Sequence, residues 1–423
     1  MRLGERLYRT ATATLSPLVG SLLRQRVRRG REAQGRLNER HAQDLPPRPA
    51  GQLAWLHGAS VGESLMLVEL GRALLARHPQ LSLLMTSQTQ TSAALLADRL
   101  PARTIHQMAP VDTPAIARRF VSHWQPGLVI MAEGEIWPNL LAEADRAGAA
   151  LALVNARMTR KTLDGWARWP DTARQVFSRF DLLLAADPST AEGLSGLAGR
   201  KVACPGNLKT ALPPPAAEPT QLETLRQDFV AGRTCLVAAS THPGEEELLL
   251  DALSGISPRP ALILAPRHPE RGDTLAELCR AAGYTTAQRS RGEPATGETD
   301  ILLADTLGEL GLWYALADLV YLGGGHGEGI GGHNPLEPVG LGRPVLTGPL
   351  VHNFETVMAR LERDGALERV DAAALPRRLA EALSDGMAAP SRELLNALAS
   401  EAQAPMLATL DALDALVRRP APR

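Results

Sequence analysis

Acidic side chains recur just after short apolar runs in this chain, and their placement is what suggests chemistry. Glu63 lies in "HGASVGES" (57–64), where Gly58, Ser60 and Gly62 shape a tight loop opening into a helix. A carboxylate in a first turn either complements the helix dipole or faces a ligand as a general base, and both readings are open for Glu63. "AEGEIWPN" (132–139) sets Glu133 and Glu135 beside Trp137 and Pro138. Two carboxylates that close can share a site and shift each other's pKa; alternatively one faces solvent and the other caps the helix near Pro138. "NARMTRK" (155–161) adds Arg157, Arg160 and Lys161, which suit an anionic ligand, and "PGNLK" (205–209) adds Asn207 and Lys209.

The later sequence continues the pattern. In "ASTHPGEE" (239–246), Ser240 and Thr241 next to a helix start read as a phosphate site. "PRHPER" (266–271) offers Arg267 to a phosphate, and "DTLGELGLWY" (305–314) carries Glu309. "GGGHGEGIGGHNPLEP" (323–338) combines a close-approach Gly331–Gly332 bend, the hydrogen-bonding His333 and Asn334, a helix-starting Pro335 and Glu337 in the first turn. No G-x-x-x-x-G-K-[ST] occurs, and no G-x-G-x-x-G follows the first strand, so ATP and NAD are not indicated. His326, Glu328, His333 and His352 lack a metal-ligand spacing, and no metal is expected.

These clusters need elements to hold them. "LAWLH" (53–57), "LSLLMT" (81–86), "GLVIM" (127–131), "LALVN" (151–155) and "DLLLA" (181–185) read as strands, with helical segments such as 62–78 between them. After "TALPPPAAEP" (210–219), whose three prolines mark a linker, the pattern restarts. "TCLVAAS" (234–240), "PALILAP" (260–266), "DILLAD" (300–305), "DLVYLGG" (318–324) and "PVLTG" (344–348) are its strands. Continuous apolar strands alternating with helices predict parallel sheets covered on both faces. The organisation expected is α/β: an N-terminal segment 1–46, a Rossmann-like domain 47–209, a linker 210–220 and a second Rossmann-like domain 221–423. Ligands of such sheets bind at the carboxyl ends of the strands, here in a cleft faced by both domains.

Residues 7–23 are semi-apolar but interrupted by Arg9 and Pro17, a poor spanning helix. "RQRVRRGR" (24–31) follows with five arginines. That order predicts a segment lying on an anionic membrane surface; a solvated basic helix packed on the domain is the alternative. Net charge is −1 and aromatics make up only 4%, so a nucleic-acid partner is not expected. Three scattered cysteines fit a reducing compartment.

Taken together and in this order, "HGASVGES", "AEGEIWPN", "NARMTRK", "PGNLK", "ASTHPGEEE", "APRHPER", "DTLGEL" and "GGHNPLEP" resemble the 3-deoxy-D-manno-octulosonic acid (Kdo) transferases of Gram-negative lipopolysaccharide synthesis. The resemblance covers roughly residues 50–355. It implies a GT-B glycosyltransferase, a CMP-Kdo donor, a lipid A precursor (lipid IVA) as acceptor, inversion at the anomeric carbon and no cofactor. It also implies attachment to the cytoplasmic side of the inner membrane. By the same resemblance Glu63 is the general base and Glu135 helps organise a sugar. Ser240, Thr241, Arg267, His268, Glu309, Gly331, Gly332, His333, Asn334 and Glu337 line the CMP pocket, with Glu337 on the ribose hydroxyls. Ser60, Arg157, Asn207 and Lys209 contact substrate. A paralogue with a related acidic sugar or another acceptor, a sugar-nucleotide epimerase on the same fold, and a non-catalytic membrane-bound binding protein are the alternatives.

Overall fold

The computed structural model describes residues 3–211 and 218–419. Most of the proline-rich linker, residues 212–217, lies outside the described residues. The chain forms two compact units. One holds the described residues up to 211 together with those from 401 to 419; the other holds 218–400.

The first unit is built on six parallel strands, β1 (Leu53–Gly58), β2 (Ser82–Ser87), β3 (Thr104–Met108), β4 (Leu128–Ala132), β5 (Ala150–Ala156) and β6 (Leu182–Ala185). Their order is β3-β2-β1-β4-β5-β6, the Rossmann arrangement. Alternate residues of each strand feed opposite cores. Trp55, Val129, Met131, Leu151 and Leu153 enter one, and Leu56, Ile130, Ala152 and Val154 the other. The direction of the chain along the sheet reverses between β1 and β4. The loops after these strands carry Glu63, Glu133 and Glu135, so topology alone brings the three together.

The second unit has seven parallel strands, β7 (Cys235–Thr241), β8 (Ala261–Pro266), β9 (Thr286–Gln288), β10 (Ile301–Leu303), β11 (Leu319–Leu322), β12 (Val345–Thr347) and β13 (Leu367–Arg369). The order β13-β12-β11-β7-β8-β10-β9 puts its switch point between β7 and β11. Three strands have no counterpart in the sequence reading: β3, β9 and β13. All three are sheet edges. An edge strand is covered on fewer sides, so it is short or polar ("TIHQM", "TAQ", "LER") and leaves no continuous apolar run.

Two expected boundaries are corrected. Residues 401–419 pack in the first unit, because Met406, Leu410, Leu413, Leu416 and Val417 are buried in its core with Leu56 and Leu83. The N-terminal segment is not a separate body. Its helices Leu3–Leu15 and Val19–Arg28 lie on the first unit, with Val19 and Leu23 buried against the cluster of Trp55, Phe120 and Trp124. Polar ties reinforce this. The Tyr8 hydroxyl donates to Asp112 (2.9 Å), and Arg179 pairs with Glu5 (2.7 Å). Other residues of the same segment point outward: Leu7, Leu15, Leu18 and Leu22 are each more than half exposed, next to exposed Arg24, Arg28, Arg29 and Arg31. Among the described residues no helix is long and apolar enough to cross a membrane.

Candidate functional site: two strand-end clusters

At the first switch point, Ser60 is the N-cap of the helix Val61–Arg77. Its hydroxyl donates to Glu63 Oε1 (2.6 Å) and accepts from the Glu63 N–H (3.3 Å), while Glu63 Oε2 accepts from the Ala59 N–H (2.9 Å). The reciprocal arrangement buries Glu63, which is only 7% exposed. So the capping reading of Glu63 is realised, and Ser60 is its capping partner. A carboxylate offers about four acceptor positions, so two local bonds do not exhaust it.

Glu135 is held differently. Its Oε2 accepts from Trp137 Nε1 (2.8 Å) and lies 3.3 Å from His57 Nε2. His57 sits at the end of β1, with Nδ1 2.8 Å from the Thr86 hydroxyl of β2. That hydroxyl also accepts from Trp55 Nε1 (2.9 Å), and His57 Nε2 faces Glu135. Burial pushes the Glu135 carboxyl up, but the hydrogen bond and charge of His57 and the Trp137 N–H outweigh it, and its pKa falls below the ordinary value.

Glu133, in the left-handed region at φ 51°, pairs with Lys209 (2.6 Å) and accepts from the Asn155 amide (3.3 Å). Asn155 Oδ1 in turn takes the Leu208 N–H (2.8 Å), and Asn207 Oδ1 takes that of Lys209 (3.0 Å). These bonds fix the 205–209 stretch beside β5. A side chain at Gly62 would come within 3.4 Å of Lys209 Nζ, which places that ammonium over the turn bearing Glu63. Ser60, Glu63, Glu133, Glu135 and Lys209 are thus one cluster. Arg157 is exposed at the end of β5.

At the second switch point, Ser240 adopts φ 56°, a conformation uncommon for a residue with a Cβ, and Thr241 is fully buried with its hydroxyl unpartnered. His242 Nε2 lies 2.8 Å from His333 Nε2. The His268 ring stands edge-on to His242 at 5.9 Å. Burial lowers the pKa of both His242 and His333; His242 and Arg267 lower His333 further.

Three local arrangements bear on the nucleotide pocket expected here. The helix start offered to a phosphate, at Glu245–Leu253, is filled by its own acids. Buried Glu245 accepts from the N–H groups of His242 (3.0 Å), Gly324 (2.8 Å) and His326 (3.0 Å), and Glu247 from that of Gly244 (2.9 Å). Next, the Gly331–Gly332 bend, at φ 85° and 82°, makes room for its own chain: a Cβ at Gly331 would meet His352 at 2.5 Å and Asn353 at 2.6 Å. Lastly, Glu309 follows β10, which β8 separates from β7, and it is committed to Arg289 (2.7 Å) and Thr306. Its lowered pKa follows from the Arg289 hydrogen bond, which outweighs burial. The helix Leu336–Gly340 has only five residues; Asn334 Oδ1 accepts the Leu336 N–H (3.1 Å), and Glu337 is exposed beside it. His326 uses both ring nitrogens, on Tyr321 (2.8 Å) and the Val370 carbonyl (2.9 Å).

His57, His242 and Glu245 had no assigned role in the sequence reading. Each stands inside a motif quoted for another residue, and the only advance signal was its place at a strand end.

Two Rossmann-type units with polar clusters at their switch points define a GT-B glycosyltransferase fold. A glycosyltransferase from Rickettsia africae shares it, with TM-score 0.54 over 88% of this chain and all of that one, at 12% identity. A putative UDP-N-acetylglucosamine 2-epimerase from Listeria monocytogenes shares it too, with TM-score 0.50 over 88% of this chain and 99% of that one, at 15% identity. Identities this low speak for the fold alone. The pattern of 3-deoxy-D-manno-octulosonic-acid transferases (kdotransferases) matches residues 27–212. A probable mitochondrial 3-deoxy-D-manno-octulosonic acid transferase from Arabidopsis thaliana is 33% identical over 377 residues, 86% of this chain and 83% of its own length. The Haemophilus influenzae 3-deoxy-D-manno-octulosonic acid transferase is 32% identical over 341 residues, 79% of this chain and 80% of its own. The chain belongs to the Kdo transferase family and is a glycosyltransferase.

Proposed function

We propose that the enzyme moves Kdo from CMP-Kdo to a lipid A precursor, with inversion, at the cytoplasmic face of the inner membrane in lipopolysaccharide synthesis. The observation that carries this reading is the carboxylate cluster on neighbouring strand ends in a chain of this family. Glu63, Glu133 and Glu135 lie in the loops after the neighbouring strands β1 and β4, and each carboxylate accepts from its own donor. An acceptor hydroxyl attacking the anomeric carbon must lose a proton, and a carboxylate within hydrogen-bond reach takes it. Glu63 is the base in this proposal. It exchanges the Ser60 hydroxyl for the acceptor hydroxyl while the Ala59 N–H still orients it. Glu135, kept ionised by His57 and Trp137, orients the sugar. Arg157, Asn207 and Lys209 meet the acidic donor sugar or acceptor phosphate. CMP occupies the second unit at Ser240, Thr241, Arg267, His268, His333, Asn334 and Glu337, with cationic and N–H groups stabilising the charge that develops on its phosphate. The enzyme works without a cofactor.

The membrane reading rests on the outward leucines and arginines of the N-terminal helices. Lysine and arginine near an anionic surface contribute about 1 kcal/mol each. Deleting residues 1–31 would also strip Val19 and Leu23 from the core, so the sharper variant replaces Leu15, Leu18 and Leu22 by serine. That triple variant should stay folded and lose co-sedimentation with anionic vesicles; undiminished pelleting would remove the membrane reading. The activity itself is tested by mass spectrometry of products from CMP-Kdo plus lipid IVA. A mass gain of one or more Kdo residues on the acceptor is expected. Free Kdo alone, with no modified lipid, would reject the acceptor.

A further inference from the structure

His242 and His333 follow β7 and β11, the two strands that flank the second switch point. Their rings are nearly coplanar and meet edge to edge through Nε2, with centroids 5.1 Å apart, planes 10° apart and Nε2 atoms 2.8 Å apart. Two imidazole nitrogens at that distance hold one proton between them: one donates and the other accepts. A second proton would set two N–H groups against each other. Burial opposes that second proton as well, and so does the positive charge of Arg267. The charged and titratable groups around the pair are Arg267 and His268 after β8, and Glu245 and Glu246 in the helix after β7. The two carboxylates are engaged elsewhere, Glu245 on three backbone N–H groups and Glu246 on Arg271 (2.8 Å). The pair is thus a cationic site in waiting, short of one proton and of an acceptor for it.

We propose that His242 and His333 form a proton-coupled phosphate clamp: a nucleotide phosphate parts the two Nε2 atoms, and the pair takes one proton from solvent so that both become N–H donors to phosphate oxygens. The inference rests on the CMP-sugar reading above. During transfer, the bond between the anomeric carbon and the phosphate oxygen breaks and its electron pair stays on that oxygen. The phosphate passes from one negative charge to two. The clamp's extra proton stays on the imidazoles and places one positive charge beside it. The acceptor's proton goes separately to the base. When CMP departs, the clamp returns its proton to solvent and the rings close on one another. The ligand class is a phosphate monoester or diester of a nucleoside, and His242 is a binding residue additional to those of the "GGHN" loop.

The test is calorimetric titration of the full-length protein with CMP at about pH 7.5, where a phosphate monoester (second pKa about 6) is already a dianion. Buffers of different ionisation enthalpy are used. The observed enthalpy should vary linearly with buffer ionisation enthalpy, with a slope close to one proton taken up per CMP. CMP affinity should fall toward about tenfold per pH unit as pH rises, as linkage requires for one bound proton. Cytidine, which lacks the phosphate, should show no slope. His242→Gln should weaken CMP by about tenfold or more, the worth of a charged hydrogen bond, and abolish the slope. A zero slope with CMP still bound overturns the clamp and spares the CMP-sugar reading. So does a full slope retained in both His242→Gln and His333→Gln. No CMP binding in any buffer overturns both.

Discussion

The two switch points are built from the same kind of loop and use their carboxylates in opposite ways. In the first unit Glu63, Glu133 and Glu135 keep unused acceptor positions while holding one or two local donors each. In the second unit Glu245 is spent on three backbone N–H groups and is 1% exposed, leaving histidines and arginine as the groups at the strand ends. One edge therefore gathers acceptors for protons and hydroxyls, and the other gathers donors for an anion. Under the proposed reaction, proton removal suits the first unit, and stabilisation of a departing phosphate suits the second.

The largest expected effect comes from breaking the acidic side at its centre. Glu63→Gln keeps the size and one acceptor for the Ala59 N–H but cannot take a proton. Transfer should fall by at least about 10²-fold. CMP affinity, which the proposal places in the second unit, should survive, and melting should move little because a capping contribution is about 0.3–1 kcal/mol. A near-normal transfer rate would leave Glu63 as a cap and make Glu133 or Glu135 the next candidate for the base.

Next in size is the tuning of Glu135. His57 lowers the Glu135 carboxyl, so the ionised form persists to more acid pH in the native enzyme. His57→Gln should raise that pKa, and the acid limb of the pH–rate profile should shift to higher pH, with a rate loss of about 10-fold near neutrality. Because the folded-state pKa is depressed, this contribution is present above the ordinary carboxylate pKa and fades as pH drops below it. An unshifted acid limb would mean that His57 only packs against Trp137.

These contrasts also mark how far the residues speak for themselves. The central strands were legible because burial on both faces writes continuous apolar runs such as "LVIM" and "LILA". Edge strands β3, β9 and β13 were not, since nothing forces apolar residues there. The N-terminal segment reads as uniformly semi-apolar, yet Val19 and Leu23 turn inward while Leu18 and Leu22 turn outward; only the packed surface distinguishes neighbours one position apart. The site was half legible. "VGES" and "PGEEE" both place a glutamate in a first turn. Sequence cannot tell which of them retains free acceptor positions, because the competing N–H groups of Gly324 and His326 arrive from a loop some eighty residues later. A glycine pair carries a related ambiguity. A missing Cβ shows that something approaches, and at Gly331 that something is His352.

A smaller effect should follow at the opposite edge. Glu337 is exposed, at the start of a five-residue helix. Glu337→Gln should weaken CMP by about tenfold if the carboxylate accepts from ribose hydroxyls, since a charged hydrogen bond contributes about 1.5–3 kcal/mol. The folded state should not notice. Equal affinity in a calorimetric titration would mean that the ribose is bound elsewhere.

The smallest effect probes whether the acidic edge needs its one ammonium. Lys209 pairs with Glu133 at 2.6 Å, with the two side chains 31% and 19% exposed. Solvent screens a pair of that exposure, so Lys209→Met should cost less than about 1 kcal/mol of stability. Its effect on turnover is the informative part. Without Lys209, Glu133 keeps only the long Asn155 bond and presents a less compensated negative charge to Glu63 and Glu135. Like charges raise one another's pKa, so the acid limb of the rate profile should move upward, in the same direction as for His57→Gln but by less. Lys209→Arg restores the charge and should restore the limb. A profile identical to wild type in Lys209→Met, with the same modest loss of melting temperature, would reduce Lys209 to a tie that fastens the 205–209 stretch to β5. The acidic edge would then consist of Glu63 and Glu135 alone.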